Sequence, residues 1–596
     1  MKKVLLTILI VTTLLASCKQ NKKDSVTIPV KENSAFNTLL KEYNEGKLEL
    51  KPIDATFAGD NRFNDQFPNT LSENHQTKTT VFYQKYKSKL VSFKDNSLTK
   101  SQQMSKAVLD WDCDMTLAQN SFKNDALMPI NQMWTINLTM GQLGSGSSAQ
   151  PFDTAKDYEN WLSRLNGFHE WLQTAIKNMQ QGIKEGYVLP KSLIKKVIPQ
   201  FKSLAETKIE AHLFYTPIKN FPPKFSEADK KMLKKAYINT LENKLIPVFK
   251  KMHTFLATDY LEAGRASSGI SEIPNGIAYY QHAIKNYTTT KMTPDEIHNL
   301  GLTEVARILS EMEKAKKQVG FKGTLKEFFN DVRENKALMP YNTPKQIIAN
   351  FNAIHNKMKP QLEKLFGNKP KTAFIVKQTE KFREASASAE YNPGSLDGTR
   401  PGVFYTPIPD ATKYNVFSDE ALFLHEAIPG HHYQISLTQE NKDLPDFRKT
   451  LWYSAYGEGW ALYTENLGKE LGLYTDPYQY FGMLGMEMHR AIRLVVDTGM
   501  HAKGWSREKA IQYSLDNEAE GEASIISEIE RYMANPGQAL SYKIGQLKIR
   551  ELRAKAKKKL GTSFDIKEFH NQVLETGCIP LALLESKINT WIAKSK

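Results

Sequence analysis

The residues best suited to chemistry lie in "FLHEAIPGHHYQ", where His425 and Glu426 precede His431 and His432. A histidine beside a glutamate, after an apolar run, is how a zinc-peptidase helix begins. The imidazole can hold a metal, and the carboxylate can take a proton from water beside it. In the HExxH spacing the second histidine falls four residues after the first. Here that position is Pro429. On an unbroken helix His431 would lie ~9 Å along the axis from His425, too far to share one ion. Pro429 removes a backbone donor and crowds the carbonyl four residues earlier, so the helix must bend or stop, and Gly430 gives the chain freedom to turn. The Pro-Gly pair can therefore fold either His431 or His432 back towards His425. The competing reading is a helix end carrying surface histidines.

A catalytic zinc commonly takes three protein ligands and keeps one position open. "WYSAYGEGWALYTENLG" offers Glu458 and Glu465. Seven residues apart, they share a helical face but sit ~10 Å apart along it, so only one can touch a common ion. Glu458 is favoured. Gly457 and Gly459 on either side allow another helix to come close, and the flanking Trp460, Leu462 and Tyr463 argue for burial. A buried carboxylate needs a partner.

Further along, Arg490, Arg493 and Asp497 fall on one helical stripe, as do Asp497 and His501. They are expected either to orient the ligands or to bind a substrate carboxylate; the alternative is a structural salt-bridge network. Tyr542 and Lys543 follow the Pro-Gly turn in "PGQALSYKIG". Tyr542 or His501 is the candidate to steady an oxyanion, and Arg493 and Lys543 are the candidates to bind substrate.

These residues need elements to position them. Residues 34–370 read mostly as helix: Trp161, Leu162, Leu165, Phe168, Trp171 and Leu172 recur at spacings of three and four. Thr293, Pro294 and Glu296 form a helix start with a capping box. Near 370 the pattern changes. "TAFIVKQ" and "SASAEY" suit short strands, and "NPGSLDGTRPGVFYTPIPD" suits a loop or further short strands. Helix returns from about 418 to the end. The expectation is a mainly α protein, with a helical region at 34–370 and a catalytic region at 371–596 that carries a small sheet beside the site helix.

The 596 residues are 40% apolar and 24% charged, as in ordinary globular proteins. The net charge of +15 could suggest nucleic acid, but its distribution argues against that partner. Residues 415–541 hold 19 acidic against 10 basic side chains. An acidic centre in a basic body fits carboxylates that hold a cation. The start, "MKKVLLTILIVTTLLASC", has two lysines and an apolar run too short to span a membrane, so residues 1–18 read as an export signal. "LASC" resembles a lipobox, with Cys18 as the lipidation site and residues 19–33 as a tether. Cys113 and Cys578 are too few for a disulfide framework and read as free, buried thiols.

Together "HEAIPGHHYQ", "YGEGWALYTE", "RLVVDTGMHAKGWS" and "PGQALSYKIG" resemble the bacterial domain-of-unknown-function family 885. "MTPDEIHNLGLTEVARI" and "NPGSLDGTRPGVFY" add to the likeness, which covers nearly the whole mature chain. The resemblance implies the thermolysin-like, gluzincin-type zinc metallopeptidase superfamily, with the helical oligopeptidases and carboxypeptidase Taq as broader relatives. It implies His425, His431 and Glu458 as zinc ligands, with His432 the competitor for the second place, and Glu426 as general base. It further implies a deep channel that admits short peptides, with "SASAEY" as a strand that could pair with a substrate backbone. The expected function is zinc-dependent cleavage of short peptides by a lipid-anchored protein of the cell envelope. The alternative is a non-catalytic lipoprotein that binds peptides or glycans; the intact Glu426 speaks against it.

Overall fold

The structure is a computed structural model that describes residues 31–595 apart from 134, 147, 382, 383, 385 and 386. The signal segment, Cys18 and most of the tether lie outside the described residues. The fold is mainly α, with one three-stranded sheet among the described residues. Thr293 accepts a hydrogen bond from the backbone of Glu296 while the Glu296 side chain reaches back, so the expected capping box starts the helix Pro294–Val319. The helix Ala155–Glu185 buries Trp161, Leu165, Phe168, Trp171 and Leu172 along one stripe, with Leu162 at its edge. Between Glu227 and Ala263 the helical path is interrupted by wider turns at Leu241–Leu245 and Leu256–Tyr260. The first of these ends two residues before Pro247, which has no N–H to continue the regular ladder.

Two hydrophobic cores organise the described residues, and one of them draws on both sides of position 370. One is drawn from residues between Leu71 and Tyr260. The other runs from Phe36 to Ile592 and includes helices from both expected regions. Pro294–Val319 packs along Pro477–Lys503 at the centre of that second core. Gly301 makes the contact close: a Cβ there would stand 2.8 Å from Leu494 Cβ.

The sheet comprises β1 (Phe374–Gln378), β2 (Glu390–Asn392) and β3 (Gly402–Thr406). β3 is central, parallel to β1 and antiparallel to β2. The segment "TAFIVKQ" thus supplies β1. The second strand is only three residues long and begins at the end of "SASAEY". β3 comes from the Pro- and Gly-rich stretch, where Gly402 leaves room for the Tyr391 ring: a Cβ there would lie 2.1 Å from its hydroxyl. β1 covers the site helix Asp419–Glu426 through Phe374 and Phe423, whose ring centres are 6.2 Å apart. Cys113 and Cys578 are free and buried, as expected.

Candidate metal centre

The helix Asp419–Glu426 carries His425 and Glu426 on its last turn. Its start is anchored by buried acids that also suit a helix N-terminus. Asp419 accepts hydrogen bonds from Tyr414 (2.9 Å) and Asn350 (2.7 Å), and Glu420 from Lys357 (2.9 Å). The helix then stops. The Ile428–Pro429 peptide is cis, and a second helix, His431–Glu440, starts directly after Gly430. Gly430 doubles back so tightly over the first helix that a Cβ would lie 1.9 Å from the His425 carbonyl oxygen and 2.3 Å from that of Leu424. Only glycine fits. The helix Ser454–Glu465 supplies donors to the broken turn: Thr464 Oγ1 donates to Leu424 O (2.8 Å), and Trp460 Nε1 to Pro429 O (2.8 Å).

This break brings His431 to His425, with ring centres 4.8 Å apart. Glu458, on the Ser454–Glu465 helix, completes the group. Its Oε2 stands 3.3 Å from His431 Nε2 and 3.6 Å from His425 Nε2. All three ligand atoms lie within 4.8 Å of one another. A separation of 3.6 Å is too long for a hydrogen bond. Both distances suit donors around one tetrahedral zinc, whose ligand atoms are roughly 3.4 Å apart when each is about 2.1 Å from the ion. The donor set, two imidazoles and one carboxylate, is also one that catalytic zinc uses. The residues therefore fit the metal.

The environment orders the group further. His425 Nδ1 donates to Glu465 Oε1 at 2.7 Å. Burial pulls His425 down, but the carboxylates of Glu458 and Glu465 override it and raise the imidazole to about 9. Burial pushes Glu458 up, and His431 and His425 bring it far below the usual carboxylate range. Glu426 is buried beside the group and has no hydrogen-bond partner among the described residues. Burial raises its carboxyl above the usual range, against the pull of His425 and His431. His432 faces the other way. Its Nδ1 meets the Tyr391 hydroxyl at 2.9 Å, its ring packs on Phe374 at 5.0 Å, and burial lowers it to about 4. Of the two histidines after Gly430, His431 is the one in the cluster.

The glycines beside Glu458 have different neighbours. A Cβ on Gly459 would lie 2.4 Å from Gly545 Cα, so the helix Ser541–Leu560 crosses there, as expected of a small residue. Gly457 is covered instead by Trp452, whose ring would be 2.1 Å from such a Cβ and whose centre is 5.6 Å from that of His431.

Over residues 52–588 the chain matches the family described as "Bacterial protein of unknown function (DUF885)". The chain belongs to this family. No curated protein matches it. Among solved structures it is similar to the "putative lipoprotein from Colwellia psychrerythraea", with 28% identity and a TM-score of 0.85 over 95% of this chain and 100% of that one. It is also similar to "a putative lipoprotein of unknown function from Shewanella oneidensis", with 17% identity and a TM-score of 0.69 over 92% and 99% of the two chains. The second likeness shows the fold alone. In this DUF885 chain no helix among the described residues is long and apolar enough to cross a membrane.

The remaining expected site residues divide. Tyr542 lies under the Arg493 guanidinium, 4.5 Å from its ring centre. Burial, then the charge of Glu458, holds its phenol above the ordinary value. Arg493 donates through Nε to Tyr532 (2.9 Å) and through Nη2 to Glu528 (2.9 Å), which leaves Nη1 buried and unpaired. His501 and Lys543 are engaged by other parts of the chain. His501 is fully buried; its Nδ1 accepts from the Ile270 N–H (2.9 Å) and its Nε2 donates to Tyr532 O (3.0 Å), so neither nitrogen is free to meet an oxyanion. Lys543 is fully buried, and its three donors serve Glu487 (2.6 Å), Gln546 (2.7 Å) and Glu304 (2.9 Å). An ammonium has no fourth donor for a substrate. Local sequence hides both outcomes, because the partners come from distant segments. Glu465, set aside as a ligand, matters through the far side of His425. Its seven-residue spacing from Glu458 was the available signal.

Proposed function

We propose that this chain is a zinc-dependent hydrolase that cleaves peptide bonds of short peptides, an oligopeptidase or carboxypeptidase of the gluzincin-type superfamily. The observation that carries this reading is Glu458 standing 3.3 and 3.6 Å from the Nε2 atoms of His431 and His425, beside the unpaired carboxyl of Glu426. A zinc ion held by His425, His431 and Glu458 would polarise a carbonyl and make water acidic enough to react near neutral pH.

The chain's own residues supply the rest. Glu426 takes the proton from the attacking water and returns it to the leaving amine; a carboxyl raised by burial suits both tasks. Tyr542 keeps its proton and can donate it to the developing oxyanion. Arg493 Nη1 is available to a substrate carboxylate, while Glu528 and Tyr532 fix the guanidinium plane. The "LASC" segment supports lipid attachment at Cys18, and the relatives described as lipoproteins support an envelope location.

The test is to incubate purified protein, with and without chelator, against a mixed peptide library and read the products by mass. Fragments should appear, vanish with chelator and return with zinc. Glu426→Gln should keep its zinc and lose ~10²-fold or more of the rate. A zinc-free chain that captures peptides without cutting them would support the binding lipoprotein instead.

A further inference from the structure

Two cavities, of about 880 and about 890 Å³, meet at Trp452. Both are lined by Lys51, Asp112, Leu451 and Trp452. Trp452 sits in the short segment before the helix Ser454–Glu465, and its ring packs on His431. The wall between the cavities is therefore also a wall of the candidate metal centre. The segment is held firmly: the Tyr453 N–H donates to Cys578 Sγ (3.1 Å), and Ser454 Oγ pairs with Ser541 Oγ (2.7 Å). Gly457 leaves the space the indole fills.

The second cavity has a mixed lining in which charged side chains stand beside large apolar ones. Trp452, Phe57 and Ile375 line it and are 44%, 37% and 38% exposed. Large apolar side chains left open on a soluble chain cost free energy unless something covers them. That they line one chamber, whose Trp452 ring also packs on His431, points to an apolar group of a bound ligand. The same chamber is lined by Gln434, three residues after His431, whose buried Oε1 has no partner. A peptide N–H would satisfy it.

We propose that Trp452 sets the side-chain preference of this protein: the chamber walled by Trp452, Phe57 and Ile375 takes the apolar side chain of the peptide residue next to the bond that is cut. The inference rests on the peptidase reading, but the preference itself is a matter of binding. A site of this kind favours a large apolar residue over alanine by about tenfold or more. Because the chamber meets the cluster through Trp452 beside His431, only one of the two residues flanking the scissile bond is read this way.

The experiment uses two series of peptides of equal length, with Phe, Leu or Ala at either flanking position. Cleavage is followed with the wild type and with Trp452→Ala and Phe57→Ser. Binding is followed by calorimetry in zinc-loaded Glu426→Gln, with and without the same two substitutions. Wild type should prefer Phe over Ala by about tenfold or more in one series only. Each substitution should bring that ratio to within about threefold by weakening the Phe peptide more than the Ala peptide, with zinc content measured alongside. A ratio that survives both substitutions, or an equal loss for Phe and Ala peptides, would overturn the assignment. A Trp452-dependent binding preference with no cleavage would leave the assignment standing and defeat the peptidase reading. Cleavage with no Trp452-dependent preference would do the reverse. Neither binding nor cleavage would defeat both.

Discussion

Glu465 holds the imidazole of His425 from behind. Nδ1 donates to Glu465 Oε1 across 2.7 Å, while Nε2 of the same ring faces Glu458 Oε2 at 3.6 Å. Two carboxylates, two turns apart on one helix, thus take opposite sides of one ring. Glu465 fixes the tautomer that leaves Nε2 free to bind an ion and makes it more basic. Glu465→Gln should weaken zinc affinity by roughly 10- to 100-fold. Competition with a chelator of known affinity measures this; an unchanged zinc Kd would mean that Glu465 does not orient the ring.

The turn at Gly430 depends on a missing side chain. Ala at this position would place a methyl group 1.9 Å from the His425 carbonyl oxygen. Gly430→Ala should cost about 1–3 kcal/mol, as other overpacked sites do. It should also displace His431 from His425, so bound zinc should fall with the melting temperature. A variant with wild-type stability and full zinc would show that the two helices can separate here without harm.

Lys543 is a structural cation. Replacing it by Met leaves Glu487 and Glu304 without the buried ammonium between them. Breaking such a network costs about 3 kcal/mol or more. Lys543→Met should therefore lower the denaturant midpoint and leave the KM of the folded fraction unchanged. A raised KM with no loss of stability would restore Lys543 as a substrate-binding residue.

Asp497 gives a pH signature. It accepts hydrogen bonds from Tyr280 (2.5 Å) and from the Gly537 N–H (3.2 Å). Burial nevertheless pushes its carboxyl up to about 7. An unfolded aspartate titrates near 3.9. Between these values the folded chain keeps a proton that the unfolded chain has released. The contribution of this group to stability is thus complete below about pH 4 and lost as pH rises through about 7. Asp497→Asn removes that loss, so its stability relative to wild type should improve across the interval. Parallel stability profiles for the two proteins would contradict the burial argument.

How far the site can be read from the chain alone follows from the range of each contact. The Pro429–Gly430 break acts on its immediate neighbours, so the need to bring a histidine back to His425 is visible in a dozen residues. Which histidine returns is not visible. It is decided by Tyr391 and Phe374, from a sheet 41 and 58 residues upstream of His432. The glycines on either side of Glu458 are alike in sequence, yet one meets a helix backbone and the other an indole. His501 and Lys543 lie in polar, helix-compatible contexts that suit a site equally well. Only the folded chain brings Ile270, Glu304 and Glu487 to them. The mainly helical body was legible from its apolar periodicity, whereas the continuation of one core past residue 370 depends on Pro294–Val319 lying along Pro477–Lys503.

Counting zinc per chain asks most directly whether His425, His431 and Glu458 share one ion. The protein is loaded with zinc, dialysed and measured by elemental analysis, beside His431→Ala, Glu458→Ala and His432→Ala. Wild type and His432→Ala should retain about one zinc per chain, and the other two should retain little. A zinc-free wild type, or full retention in His431→Ala, would contradict the shared site.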